Sequence, residues 1–297
     1  MPDGVQLWET QPYKTITVEP IAGALGAVVS GVDLSKPLDD ALFSEIYQAF
    51  VEHHVIFFRD QDMTPDQYLA FARRWGDIHL HPFMKGLDSH PEILEIVKTE
   101  TDTRAFGSTW HTDQMFCEKP AKCTMLYAKE VPAAGGDTMF ANMYLAHDAL
   151  SDGMKEMLSQ LKTFNVGDKL KSQGGKSRAE RYNGKMSQMQ TRDPGNLQTE
   201  HAHPIIRTHK DTGRKSIYFG AHTNNIDGLT DAESAPLMAF LRDHTTRPEF
   251  TCRFGWEVGS LAIWDNRCTM HKRVDDAGKQ QREMHRLPIK GAEPPVA

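Results

Sequence analysis

Apolar positions along the chain switch between two spacings. ITVEP and GAVVSGV, near the N-terminus, read as short strands. From Asp39 to Glu52 the apolar residues Leu42, Ile46 and Phe50 recur at helical spacing after an acidic start, which predicts an amphipathic helix. HVIFFRD follows as a buried strand. In MTPDQYLAFARRWG, Thr64 is placed as an N-cap, Pro65 at the first helical position and Gln67 to complete a capping box. The helix is expected from Pro65 to Trp75, stopping at Gly76. From Ile93 onward strands dominate: ILEIV, CTMLYA, DTMF, IIRTH, SIYFG, FTCRF, SLAIWD and EMHRLPI, several of them separated by turn sequences such as AAGGD and KDTGRK. Two helical insertions interrupt them. One runs from about Tyr144 to Leu161 with a break near Ser151; the other opens on a second capping box, Thr230 with Glu233, and ends near His244. Between about Gly167 and Gln198 the chain is polar, rich in Gly, Lys and Arg, and without period, which predicts a lid or binding loop.

Many short strands with helices outside them predict a mainly β fold with flanking helices: one domain over residues 1–297, built on a double-stranded β-helix, or jelly roll. The net charge of 34 − 40 = −6 gives no general attraction to nucleic acid or to anionic membranes. No apolar run is long enough to cross a bilayer, and the start of the chain lacks the basic and apolar regions of a secretory signal. Cys117, Cys123, Cys252 and Cys268 form no C-x-x-C pair and read as reduced, buried thiols of a cytoplasmic protein rather than as a nucleophile or zinc-thiolate site.

The stretch TWHTDQMF sets His111 two residues from Asp113. On an extended chain both would project from one face and could share a metal ion, although a surface hydrogen-bonded pair would look the same. A third ligand is available in IWDNRCTMHKR, where His271 follows the buried strand SLAIWD and a turn at Asp265-Asn266. His271 alone would fit a core histidine. With His111 and Asp113 it makes the two-histidine, one-carboxylate set of non-haem iron(II) oxygenases, which leaves coordination positions open. Iron(II) cannot supply all the electrons that O2 reduction needs, whereas a 2-oxo acid can supply two. Such a cosubstrate needs an anchor for its far carboxylate, best made by an arginine fork with a hydroxyl beside it. In QREMHRLPI, Arg282, Met284 and Arg286 share a strand face, and Thr138 in AAGGDTMF offers the hydroxyl.

Taken together, GVDLSKPL, WHTD, GGDT, WDNRCTMH and the final R-x-x-x-R resemble the taurine / 2,4-dichlorophenoxyacetate dioxygenases over nearly the whole chain. The resemblance implies Fe(II) held by His111, Asp113 and His271, with 2-oxoglutarate and O2 as cosubstrates and 2-oxoglutarate contacts at Thr138 and Arg282. It implies contacts from Arg286 and His81 to an anionic small-molecule substrate (a sulfonate, sulfate ester or aryloxyalkanoate), and a homo-oligomer, dimer or tetramer. Hydroxylation would yield succinate and CO2 and in some substrates break a C–S or C–O bond. The chain departs from the taurine enzyme at Gly107 and Met84, which stand where that enzyme has an asparagine and a tyrosine near its substrate. Asp113 separates the chain from related halogenases, in which a small residue vacates that ligand position.

Other readings compete for the same residues. A zinc-dependent hydrolase on a cupin-like barrel would suit the three ligands but has no use for Arg282 and Thr138. A structural metal site would want a fourth protein ligand. His79 with His81, and His201 with His203, repeat the two-residue spacing without a partner nearby in sequence. GGKS at 174–177 lacks the earlier glycine of a phosphate-binding loop, having Leu170 in its place. Trp110 and Phe116 flank the motif and read as core packing.

Overall fold

The computed structural model describes residues 12–102, 106–168, 174–177, 180, 190–192, 195 and 197–297. The chain opens with strands β1 (Thr17–Pro20) and β2 (Ala27–Ser30), helix α1 (Asp40–His53), β3 (Val55–Phe58), helix α2 (Pro65–Arg73) and β4 (Leu94–Lys98). Asp39 caps α1 by accepting from the Leu42 N–H, and the helix ends on His54 in the left-handed region at φ 66°. The capping box of α2 forms as expected, with both the Thr64 and the Gln67 side chains reaching backbone N–H groups.

Next come β5 (Cys123–Glu130), β6 (Thr138–Asn142), α3 (Met143–Asp148), α4 (Asp152–Ser159), β7 (Lys162–Val166), β8 (Glu200–Pro204), β9 (Ile206–Thr208), β10 (Lys215–Ile217) and β11 (Thr223–Ile226). The helical insertion after β6 is thus two helices, split by Ser151, which caps the second. Helix α5 (Asp231–Thr245), again with a full capping box, leads into β12 (Thr251–Phe254), β13 (Leu261–Asp265), β14 (Thr269–Arg273) and β15 (Arg282–Ile289). Four of these strands, β7, β8, β11 and β14, run through sequence that carries no clean alternation. The lid expected at 167–198 lies largely outside the described residues; within it, residues 190–192 pair with 83–85 through Lys85 N–H to Gln190 and Arg192 N–H to Phe83.

Among the described residues the principal sheet runs β1-β2-β3-β13-β5-β15-β4, and a second sheet runs β12-β6-β14. All pairings in these two are antiparallel except β2 with β3. The central strands VIFF and LAIWD are buried throughout because both faces of the principal sheet are covered. One face carries Ile56, Phe58, Leu261 and Ile263 against Ile46, Phe50, Tyr68 and Trp75 of the α1–α2 layer. The other carries Val55, Phe57, Ala262 and Trp264 into a second core shared with Phe140 of β6 and Phe254 of β12. Phe57 and Phe254 stack at 3.9 Å between ring centres. A third core, including Ala141, Met270, Ile206, Ile217 and Leu241, packs on the far side of the smaller sheet. The space between the two sheets is therefore walled by side chains from both, and the site described below lies there.

The AAGGD turn entering β6 depends on glycine. Gly135 and Gly136 take φ values of +79° and +73°, and a Cβ on Gly135 would lie 2.7 Å from the Asp276 carboxylate.

Burial also sets a pH dependence. Burial pushes the imidazoles of His54, His79 and His203 down to about 3, 4 and 4. Each stays neutral in the folded chain at pH values where the unfolded chain protonates it. Stability is therefore unaffected above the unfolded histidine range, near pH ~6.5, and falls as pH drops through it toward 4. Three such groups would make the slope at most about 4 kcal/mol per pH unit. Urea unfolding at pH 8, 7, 6 and 5 is expected to show this, and His54→Asn, which tolerates the left-handed backbone, to shallow the slope. A midpoint that does not move between pH 7 and 5 would contradict it.

Candidate active site

His111 and His271 are brought together by backbone, not by side-chain attraction. The His111 segment, outside the named strands, forms an antiparallel bridge with β14: the His111 N–H donates to the His271 carbonyl at 3.0 Å and the reverse bond is 2.9 Å. Residues paired this way project to the same side, and the two rings lie 4.2 Å apart. As expected, His271 follows β13 and the turn at 266–268; it sits within β14, so its inward direction is fixed by the register with β6, where it faces Phe140.

Asp113 reaches the same point by a different route from that expected of an extended run. The chain leaves the bridge and turns, with Gln114 at φ 56°. The Thr112 hydroxyl donates to the Thr269 carbonyl, and the Asp113 N–H donates to Asn266 Oδ1. The turn sets Asp113 Oδ1 at 3.7 Å from His111 Nε2 and 3.9 Å from His271 Nε2. One ligand atom from each of the three lies within 4.8 Å of the others, a grouping that could hold a metal ion.

The surroundings fix what these atoms can do. His111 Nδ1 lies 2.7 Å from the Thr109 carbonyl; a carbonyl only accepts, so Nδ1 carries the proton and Nε2 presents a lone pair toward Asp113. Burial pushes His271 well below the ordinary histidine range, so it too is a neutral donor. Burial alone would raise the Asp113 carboxyl. Arg286 opposes it, together with the two histidines and the Thr124 hydroxyl, and holds it well below the usual range. Asp113 Oδ2 accepts from Thr124 Oγ1 at 2.6 Å, and Asn266 Nδ2 donates to the same hydroxyl. Two neutral imidazoles and one ionised carboxylate are the donor set expected of a divalent ion.

The cavity around them is lined by Ile96, Leu126 and Trp264 on the principal sheet and by polar groups that include Thr138, Arg273, Arg282 and Arg286. Arg282 and Arg286 do face inward together. Their situations differ. Arg286 Nη2 is 2.8 Å from Asp113 Oδ1, while its Nη1 has no partner among the described residues. Arg282 is 3% exposed, its Nε is also unpartnered, and burial beside Arg273 pushes it down to about 9, still protonated at neutral pH. Thr138 Oγ1 accepts from the Trp256 indole N–H at 3.0 Å, which leaves its own hydrogen to donate.

His81 is set further back: its ring lies 6.4 Å from that of Phe106, which lines the cavity. Gly107 lines the cavity and Met84 is buried in the core near Leu94 and Ile96. Phe116 is core, packed on Phe83 and His222, and half-buried Trp110 packs against the third core. His203 bonds to the Cys117 carbonyl at 3.0 Å, as a structural role requires. All four cysteines are buried and free, and burial pushes Cys117, Cys123 and Cys252 up to about 12, which removes the thiolate a nucleophile would need.

Thr124, Asn266 and Arg273 escape the sequence reading. Asn266 was legible only as a turn residue, and Arg273 was not singled out. Nothing local links Thr124, inside an apolar strand, to Asp113. Thr124→Val would leave Asp113 Oδ2 and Asn266 Nδ2 unsatisfied. It is expected to cost about 1–3 kcal/mol in urea unfolding and to weaken Mn(II) binding, measured by calorimetry, about 10- to 100-fold.

The chain is similar to known proteins over most of its length. The family described as taurine catabolism dioxygenase TauD, TfdA matches residues 17–287. The chain is 34% identical over 291 residues to an alpha-ketoglutarate-dependent sulfate ester dioxygenase of Pseudomonas putida, covering 96% of this chain and 93% of that protein. It is 31% identical over 295 residues to an alpha-ketoglutarate-dependent 2,4-dichlorophenoxyacetate dioxygenase of Cupriavidus pinatubonensis, covering 90% and 96%. Among solved structures, AAD-2 in complex with Mn(II) and N-oxalylglycine superposes with a TM-score of 0.77 at 29% identity, covering 95% of this chain and 100% of that one.

Proposed function

The chain belongs to the taurine catabolism dioxygenase family TauD, TfdA, is a 2-oxoglutarate-dependent dioxygenase that uses Fe(II) and O2, and on that premise we propose how its residues divide the work. His111, Asp113 and His271 hold the metal. The convergence of those three donors in one cavity with the buried guanidinium of Arg282, whose Nε has no partner among the described residues, carries this reading. The zinc-hydrolase alternative uses the triad and leaves that guanidinium without a purpose.

Arg282 and Thr138 take the distal carboxylate of 2-oxoglutarate: the arginine supplies charge and a fork of donors, the hydroxyl one further donor. N-oxalylglycine differs from 2-oxoglutarate only by NH in place of CH2, and Mn(II) has the charge of Fe(II), so the complex held by AAD-2 supports the same pairing here. The chemistry supplied by the bound group is oxidative decarboxylation of 2-oxoglutarate to succinate and CO2, coupled to hydroxylation of a substrate carbon. We assign the substrate's anionic group to Arg286, whose Nη1 has no partner among the described residues, with His81 as a second contact next to Phe106. The substrate class is a small anion of sulfate ester, sulfonate or aryloxyalkanoate type, which the sulfate ester and 2,4-dichlorophenoxyacetate relatives support. Hydroxylation of the carbon bearing the ester or ether oxygen gives an unstable product and so releases sulfate or a phenol. Apolar walls of Ile96, Leu126 and Trp264 exclude water from the reacting carbon.

The proposed frame for this chemistry is a double-stranded β-helix over a single domain. Two mainly antiparallel sheets that both contribute cavity walls, and a family match over 17–287, support it.

The test is anaerobic addition of Fe(II) and then 2-oxoglutarate, followed by visible absorption. A charge-transfer band is expected for the wild-type chain, absent in His271→Ala and weakened in Arg282→Gln. Tight zinc binding with no such band would overturn the assignment.

A further inference from the structure

The cavity holds one more buried cation than this division of work employs. Arg273 is 5% exposed and lines the cavity, and neither its Nε nor its Nη2 has a hydrogen-bond partner among the described residues. The acids nearest to it are engaged or exposed. Asp137 Oδ2 accepts from Arg253 Nε at 2.5 Å. Asp276 accepts from Arg253 Nη2 at 2.9 Å and from the Gly136 N–H at 2.8 Å. Asp275 is solvent-exposed. Arg286, by contrast, already has Asp113 at 2.8 Å.

Strand register says which part of the cavity Arg273 serves. It faces Thr138 directly across the β14–β6 pair, two residues beyond His271 on the same side of β14. Directly opposed side chains of an antiparallel pair stand roughly 5 Å apart at Cβ. Arg282 completes the group: its guanidinium stands 5.8 Å from the centre of the Trp256 ring, whose N–H is bonded to Thr138. Two buried like charges lining one cavity with a hydroxyl donor are costly unless an anion joins them.

We propose that Arg273 is a second cationic anchor for the distal carboxylate of 2-oxoglutarate, binding it together with Arg282 and Thr138. The inference rests on the function proposed above and extends it. A carboxylate offers about four lone-pair sites, enough for a fork from Arg282, the Thr138 hydroxyl and one N–H of Arg273. Arg273 therefore sets selectivity for 2-oxo acids with a charged far end.

The test is calorimetry on the Mn(II)-loaded protein without O2, so that nothing turns over. The probes are 2-oxoglutarate and 2-oxopentanoate, which has the same oxo-acid head but no distal carboxylate. Arg273→Gln is expected to weaken 2-oxoglutarate about 10- to 100-fold, while 2-oxopentanoate and Mn(II) itself change less than about threefold. Arg282→Gln is the control. If it loses 2-oxoglutarate affinity and Arg273→Gln does not, the second anchor is wrong and the proposed function survives. If neither variant loses affinity, the carboxylate site itself is misassigned. Equal weakening of both oxo acids in Arg273→Gln also overturns the proposal. Should Arg273→Gln fail to fold, Arg273→Lys keeps the charge without the fork. It is expected to lose at least about threefold for 2-oxoglutarate and nothing for 2-oxopentanoate; loss for neither overturns the proposal.

Discussion

Two reciprocal backbone hydrogen bonds, between His111 and His271, are the constraint on which the site depends. They tie a segment that belongs to no sheet onto the strand that carries the second histidine. Side chains could not have done this alone. Two neutral imidazoles have little attraction for one another, and both would otherwise be free to turn toward solvent. Once the bridge is made, the orientation of each ring follows from its register and from one further bond, His111 Nδ1–H to the Thr109 carbonyl. The turn at Gln114 then has only to deliver a carboxylate, and Thr124 and Asn266 receive it. Donor geometry is thus set mostly by main chain and by buried hydrogen bonds from uncharged donors.

Charge inside the cavity is organised around a deficit. Asp113 is the only carboxylate among the described cavity-lining residues, while Arg273, Arg282 and Arg286 all reach in. Asp113 is also needed as a donor, so Arg286 cannot be neutralised by it alone. The principal sheet makes this tolerable by rigidity. Arg282 and Arg286 belong to β15, which pairs on both sides, with β4 and with β5. The fold thus holds the cations in place, and incoming anions compensate them. Binding of anionic ligands and relief of internal repulsion then become one event, which favours charged over neutral molecules of the same shape.

Legibility in the sequence followed burial and locality. VIFF, LAIWD, CTMLYA and the two capping boxes announced themselves, because continuous apolar runs and cap residues act over a few positions. TMHKR did not read as a strand, although it is β14. Its inward positions are His271 and Arg273 rather than apolar residues, so function erased the alternation that marks a strand. KTFNV, EHAHP and TNNI were missed for a related reason: Asn165, His203 and Thr223 occupy buried positions by hydrogen bonding to one another or to backbone. Motif order identified His111, Asp113, His271, Thr138, Arg282 and Arg286 as a group, and the structure gathers all six around one cavity. Thr124 and Asn266 could not be found that way, since they meet Asp113 only through the packing of distant strands.

A second cluster shows why residue type alone does not make a metal site. His209, Asp265 and Cys268 also converge, and all are buried. There, however, both Asp265 oxygens are taken. Oδ1 accepts from the Arg267 N–H and Nε, and Oδ2 from Arg267 Nη2 and His209 Nε2. Arg267 extends the chain of contacts to Asp211, which also receives the Tyr47 hydroxyl of α1. An ion entering this cluster would have to expel a buried guanidinium. What the network does instead is lock the turn between β13 and β14, the turn that presents Asn266 to Asp113 and starts the strand bearing His271. The difference between the two clusters lies in their remaining valences. Around Asp265 the oxygens take four hydrogen bonds from Arg267 and His209, whereas around Asp113 each oxygen has one donor, Arg286 or Thr124, and two imidazole Nε2 atoms also face Oδ1; those imidazoles are the residual capacity that a cofactor can use.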